Sequence, residues 1–156
     1  MKTNIFISYS HKDEEHFTEL NRQLKVVTES MNLEIWSDLK VDIGQELDCN
    51  IQKNLEKADI VICLVSTDYL TSNYCLEKEL KVAIQQKQLS EKDIFPIIVK
   101  PSLWQRTYFG TIKCAPKDGK AVSTYASLED AYLETVELLM TQIERKQEEK
   151  KGISAI

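Results

Sequence analysis

The run Asp59 to Val65 (DIVICLV) limits most strongly what this chain can fold into. It is short, almost continuously apolar and rich in β-branched residues, which predicts a strand covered on both faces, as in a parallel sheet. Parallel strands need crossover connections, so helical and strand patterns must alternate along the chain. In such sheets ligands collect beyond the carboxyl ends of the strands, and Ser66 stands at such an end. The stretch Ser66 to Leu80 (STDYLTSNYCLEKEL) is therefore the first place to look for chemistry.

The rest of the chain fits that alternation. Asn4 to Tyr9 (NIFISY) reads as the first strand, followed by a loop of Ser10, His11, Lys12 and Asp13. Ser10 or Asp13 caps the next helix, whose Phe17, Leu20, Leu24 and Val27 recur at core spacing. Leu33 to Trp36 is a short second strand nearer the sheet edge. The polar loop SDLKVDIGQELD follows, with Gly44 ahead of an apolar repeat of Leu47, Ile51 and Leu55. Gly44 either takes a backbone conformation closed to other residues or simply opens that helix.

A helix is expected from about Asn73 to Gln88, and a fourth strand from Asp93 to Val99, where Pro96 suggests an edge or a bulge. Lys100 to Ser123 is an irregular connection pinned by aromatic residues, with room for a short helix near Leu103. Leu128 to about Lys146 is the last helix, with Tyr132, Val136, Leu139 and Ile143 on one face. The charged tail 147–156 is expected to fray. These elements predict one domain over residues 1–146. Its class is α/β: a flavodoxin-like, doubly wound parallel sheet of four to five strands with helices on both faces. The expected strand order is 2-1-3-4, with a fifth short strand near Ala121 to Ser123.

Composition narrows the function classes. A net charge of -5 without a basic stripe argues against nucleic acid and anionic membrane as direct partners. Cys49, Cys63, Cys75 and Cys114 form no CxxC pair, and His11 and His16 are the only histidines. No metal site or disulfide framework is predicted, and free thiols point to a reducing compartment. MKTNIFISYS turns polar too soon for a signal peptide, and no run is long enough to span a membrane. A cytoplasmic protein is expected.

Within the expected helix after Ser66, Leu76, Leu80, Val82, Ala83 and Ile84 share one broad arc, and Glu79 falls inside it while Glu77 lies on its polar border. A carboxylate at such a place either faces a cavity or lets its stem pack while its head reaches water. GxGxxG, GxxxxGK[ST] and G-x-S-x-G loops are all missing. Lys100-Pro101 after a strand resembles the lysine of a phosphorelay receiver. That reading fails because the acidic pair and acceptor aspartate are replaced by Ser10-His11 and Ser66.

Three motifs in order carry a family resemblance: FISYSHKDE from Phe6, then Trp36-Ser37-Asp38 with Gly44, then S-x2-Y-x2-S-x-Y-C-x3-E-L from Ser66 to Leu80. With DGKAVSTYASLEDAY from Asp118 to Tyr132, they make residues 3–146 resemble the Toll/interleukin receptor (TIR) domains of bacterial type. The resemblance implies two classes of activity. Many such domains cleave NAD+ at the nicotinamide–ribose bond to give ADP-ribose or a cyclic form, using NAD+ as substrate and no cofactor, often in antiphage defence. Others only assemble with further TIR domains as scaffolds or adaptors.

The resemblance makes Glu79 the catalytic carboxylate. It places Ser10, His11, Trp36, Asp38, Ser66, Tyr69, Tyr74 and Cys75 around the substrate, and Asp38, Lys40, Asp42 and Gly44 on a loop that packs against a neighbouring molecule. Partners implied are NAD+, other TIR domains in a homo-oligomer or filament, and a sensor domain or protein. In plant members an aromatic residue stands four before the glutamate. Here Cys75 holds that place and Tyr74 is one further back, as in some bacterial members.

Overall fold

The computed structural model describes residues 2–37, 55–72 and 92–155. Among them four strands, β1 (Thr3–Ser8), β2 (Leu33–Ser37), β3 (Ile60–Val65) and β4 (Asp93–Ile98), form one parallel sheet in the order β2-β1-β3-β4. Its helices are α1 (Glu14–Thr28), the single-turn α2 (Thr67–Thr71) and α3 (Leu128–Ala155). This is the predicted doubly wound order.

The strands alternate their side chains between two cores. Ile5 and Ile7 of β1 and Ile60, Ile62 and Leu64 of β3 point into the core shared with Leu20 and Leu24 of α1 and Tyr132, Val136, Leu139 and Ile143 of α3. Phe6, Val61, Cys63 and Val65 point to the opposite face, where they meet Leu55, Tyr69, Phe109 and Ala121. Every residue of β3 is buried, which is why DIVICLV shows no polar alternation. Each large side chain so placed contributes about 1.5–3 kcal/mol relative to exposure. The helices expected over Leu47 to Leu55 and Asn73 to Gln88 lie outside the described residues, apart from a helical stretch at 55–57.

Pro96 sits in β4 without breaking it, because β4 is an edge strand. Its carbonyl accepts the Ala115 N–H at 2.8 Å on the outer side, and the proline nitrogen faces that same side, so no bond to β3 is lost. The outer contact is an isolated bridge between Ile97 and Ala115. The fifth strand expected near Ala121 to Ser123 is a 3-10 turn instead, Val122–Thr124. Tight turns fill the connection after β4, including Trp104–Arg106 close to the helix expected near Leu103.

Gly119 in that connection has φ +70°, and a Cβ there would stand 2.7 Å from Trp104 Cζ2. Gly119→Ala is expected to lower stability by about 1–3 kcal/mol, read as a shift of the urea midpoint at constant m-value. An unchanged midpoint would show that the Trp104 contact yields freely.

The last helix differs from expectation. It runs on through Ala155, whereas the sequence suggests fraying after Lys146. The cause is long-range. Gln147 Nε2 donates to Thr3 Oγ1 at 3.1 Å and to the Met31 carbonyl at 2.7 Å. Lys150 Nζ lies 2.6 Å from Asp59 Oδ2, which also accepts the Asn4 N–H at 2.8 Å. Residues that look merely solvated in the sequence thus fasten the helix beneath the amino ends of β1 and β3.

Candidate functional site

In the order β2-β1-β3-β4 the chain leaves β1 toward one edge and β3 toward the other. The switch point therefore lies beyond the carboxyl ends of β1 and β3, where sheets of this kind place their ligand-binding crevice. Its two lips are the Tyr9–Asp13 loop and the Ser66–Thr71 segment.

The first lip is set by Ser10. Its hydroxyl accepts the Lys12 N–H at 3.3 Å and its carbonyl the Asp13 N–H at 2.8 Å, which makes the 3-10 turn His11–Asp13. That turn leaves His11 exposed at the rim, edge-on to Tyr9 at 6.0 Å between ring centroids. Tyr9 is anchored below by stacking on Phe17, 4.4 Å away and within 2° of parallel.

The second lip starts at Ser66, whose hydroxyl caps α2 by accepting the Tyr69 N–H at 3.1 Å. The same hydroxyl donates to Asp13 Oδ2. Tyr69 is fully buried and its phenol shares a hydrogen bond of 2.9 Å with Ser8 Oγ. Ser66 and Tyr69 are expected from the family resemblance to touch substrate, but the structure gives their polar atoms to the protein itself. They support the crevice from beneath, because a serine at a strand end is drawn to the unsatisfied N–H groups of the helix that follows.

Beneath the crevice lies a pairing that the sequence does not announce. Asp13 has 0% exposure, and Lys100, two residues beyond β4, places Nζ 2.6 Å from Asp13 Oδ1. This contact holds the Lys100 ammonium above its ordinary pKa. Lys12 Nζ lies 3.6 Å from Asp68 Oδ1, bridging the two lips at the surface. The receiver-like position of Lys100 was legible in the sequence; its carboxylate partner was not, since Asp13 stands two residues past the place of the expected acidic pair, Ser10-His11.

His16 is buried next to this cluster, with Nδ1 2.9 Å from the Tyr132 hydroxyl. Burial lowers its pKa below the usual histidine range, against a smaller opposing pull from Asp13, and Lys100 lowers it further. Burial likewise raises the Tyr132 phenol. A histidine with a depressed pKa is protonated more readily when unfolded, so stability is present above the unfolded value and declines as pH falls below about 6.5. The urea midpoint should fall between pH 7 and pH 5, and His16→Gln should remove part of that slope; an identical slope in the variant would assign it to other groups.

Trp36, at the end of β2, is half-buried beside the second core and borders an open cleft of about 400 Å³ between α1 and β2. A second cleft of about 860 Å³ lies outside β4, against Trp104 and α3. Neither is lined by Ser10, His11, Ser66 or Tyr69. Asp38, Lys40, Asp42, Gly44, Tyr74, Cys75 and Glu79 lie outside the described residues, as does the rival carboxylate Glu77. The structure thus places Ser10, His11, Ser66 and Tyr69 in the loops at the carboxyl ends of β1 and β3, with Tyr69 buried, and leaves Trp36 on the neighbouring strand.

Fold and crevice define a doubly wound α/β domain with its candidate site at the β1/β3 switch point. A family model described as TIR domain matches residues 5–136, most of the chain, and the chain belongs to the TIR domain family. It is 30% identical over 131 residues to protein y4lF of Sinorhizobium fredii, covering 84% of this chain and 41% of that protein. The chain thus spans less than half the length of that relative. In fold it is similar to the TIR domain of the Toll-related receptor TRR-2 from Hydra magnipapillata. The TM-score is 0.57 at 19% identity, over 90% of this chain and 97% of that one. Among the described residues no helix is long and apolar enough to cross a membrane.

Proposed function

We propose that this domain is an NAD+ glycohydrolase that cleaves the nicotinamide–ribose bond when it self-associates, serving signalling or antiphage defence in a bacterium. The observation that carries the reading is Glu79 in its sequence context. Within a TIR domain, it follows a Tyr74-Cys75 pair at the spacing that some bacterial members share, thirteen residues beyond Ser66.

The chemistry suits a single carboxylate. The C1′–N bond breaks with its electron pair passing to the pyridinium nitrogen, so nicotinamide leaves neutral and positive charge develops on the ribose. Glu79 stabilises that charge and orients the ribose hydroxyls. Water then adds to C1′ and gives up a proton, yielding ADP-ribose; attack by a nucleophile of the same molecule gives a cyclic form. Ser10 and His11 at the rim contact the substrate from the β1 side, with Trp36, Asp38, Tyr74 and Cys75 as further contacts. Asp38, Lys40, Asp42 and Gly44 form the self-association loop, and the partners are NAD+ and other TIR domains.

One observation favours the alternative of a non-catalytic scaffold. Ser66 and Tyr69 spend their polar atoms inside the protein rather than on a ligand. The test is nicotinamide release by the purified chain over a range of protein concentration, with products separated by mass. Release that rises faster than linearly supports the enzyme; stable TIR–TIR complexes without release, even under crowding, establish the scaffold.

A further inference from the structure

The buried Asp13 is the feature of the crevice that its surface chemistry leaves unexplained. A fully buried carboxylate is costly unless both oxygens are engaged. Here one faces the Lys100 ammonium at 2.6 Å and the other receives the Ser66 hydroxyl, which also caps α2. One side chain therefore joins three segments distant in sequence: the turn after β1, the start of α2 after β3, and the connection after β4. Lys100 is not a free anion-binding cation. Its side chain is 40% exposed, and Asp13, Asp68 and Glu15 surround it, each acting to stabilise its charge.

We propose that Asp13 is a positioning residue: through Ser66 and Lys100 it locks the two lips of the crevice together, so that the Ser66–Thr71 segment has a set place relative to Ser10 and His11. The locking follows from the contacts on their own; its consequence for catalysis rests on the glycohydrolase reading. Substrate would still be held by Ser10 and His11 if the lips slid apart, but the reacting bond would lose its alignment, a loss that appears in turnover more than in binding.

The test is amide hydrogen exchange on the whole chain for Asp13→Asn and Ser66→Ala, with β3 amides reporting global opening and Lys100→Arg as the conservative control. Asp13→Asn keeps the size of the side chain but removes its charge. Exchange should rise at least about tenfold in peptides covering both 9–13 and 66–72, beyond any change in β3, while Lys100→Arg stays near wild type. A rise confined to the substituted segment, or matched throughout by β3, overturns the locking. If either variant fails to fold, the other decides.

In parallel, kcat for nicotinamide release should fall with KM nearly unchanged in Asp13→Asn. A fall in KM-governed binding alone overturns the catalytic half. A wild-type chain that releases no nicotinamide sinks the glycohydrolase reading instead, and the exchange result then decides the locking by itself.

Discussion

Glu79→Gln is expected to lower nicotinamide release by about 10²–10⁴-fold, with folding and self-association intact. Glutamine keeps the shape and one hydrogen-bond acceptor but removes the charge that opposes the developing oxocarbenium ion. The loss should therefore lie in kcat, while KM changes little, because the bound ground state carries its positive charge on the pyridinium rather than on the ribose carbon. Glu77→Gln, on the polar border of the same predicted helix, should stay within a few-fold of wild type. Comparable losses in both variants would dissolve the assignment of Glu79. Equal losses of activity and of assembly in Glu79→Gln would make the residue an interface group.

Lys100→Met is expected to lower stability by about 3–5 kcal/mol, far beyond the 0–1 kcal/mol of an exposed ion pair. The reason is the unequal burial of the partners. Lys100 is part-exposed and could hydrate alone, but Asp13 has 0% exposure and would keep only the Ser66 hydroxyl. Methionine preserves the aliphatic stem, so packing is nearly unchanged and the loss is electrostatic. Adding Asp13→Asn to Lys100→Met removes the stranded charge and should recover most of the loss, a coupling that urea midpoints measure directly. A single-variant loss below about 1 kcal/mol would class the pair as a surface contact. Because the Asp13 contact raises the lysine's folded pKa, this contribution holds below the unfolded lysine value near 10.5 and is lost as pH rises through the folded value.

Much of the fold was legible because its signals are local. Asp59 to Val65 announces a strand buried on both faces, Leu20 and Leu24 mark the inward side of α1, and Pro96 announces an edge or a bulge, of which the edge is what the sheet shows. Where the sequence misled, distant partners decided. The segment near Ala121 to Ser123 becomes a 3-10 turn while Ala115 takes the place beside β4. The tail continues α3 because Gln147 and Lys150 find Thr3, Met31 and Asp59.

The candidate site divides in the same way. By itself the sequence determined the parallel α/β class, the strand order and the loop of Ser10 and His11. The class and the loop are carried by local periodicity, and the order follows from the rules of doubly wound sheets. Only the tertiary structure decided that Ser66 and Tyr69 turn inward, and that Asp13 meets Lys100 across 87 positions of chain. Burial of a charge depends on what packs over it from elsewhere in the chain, and no local pattern reports that.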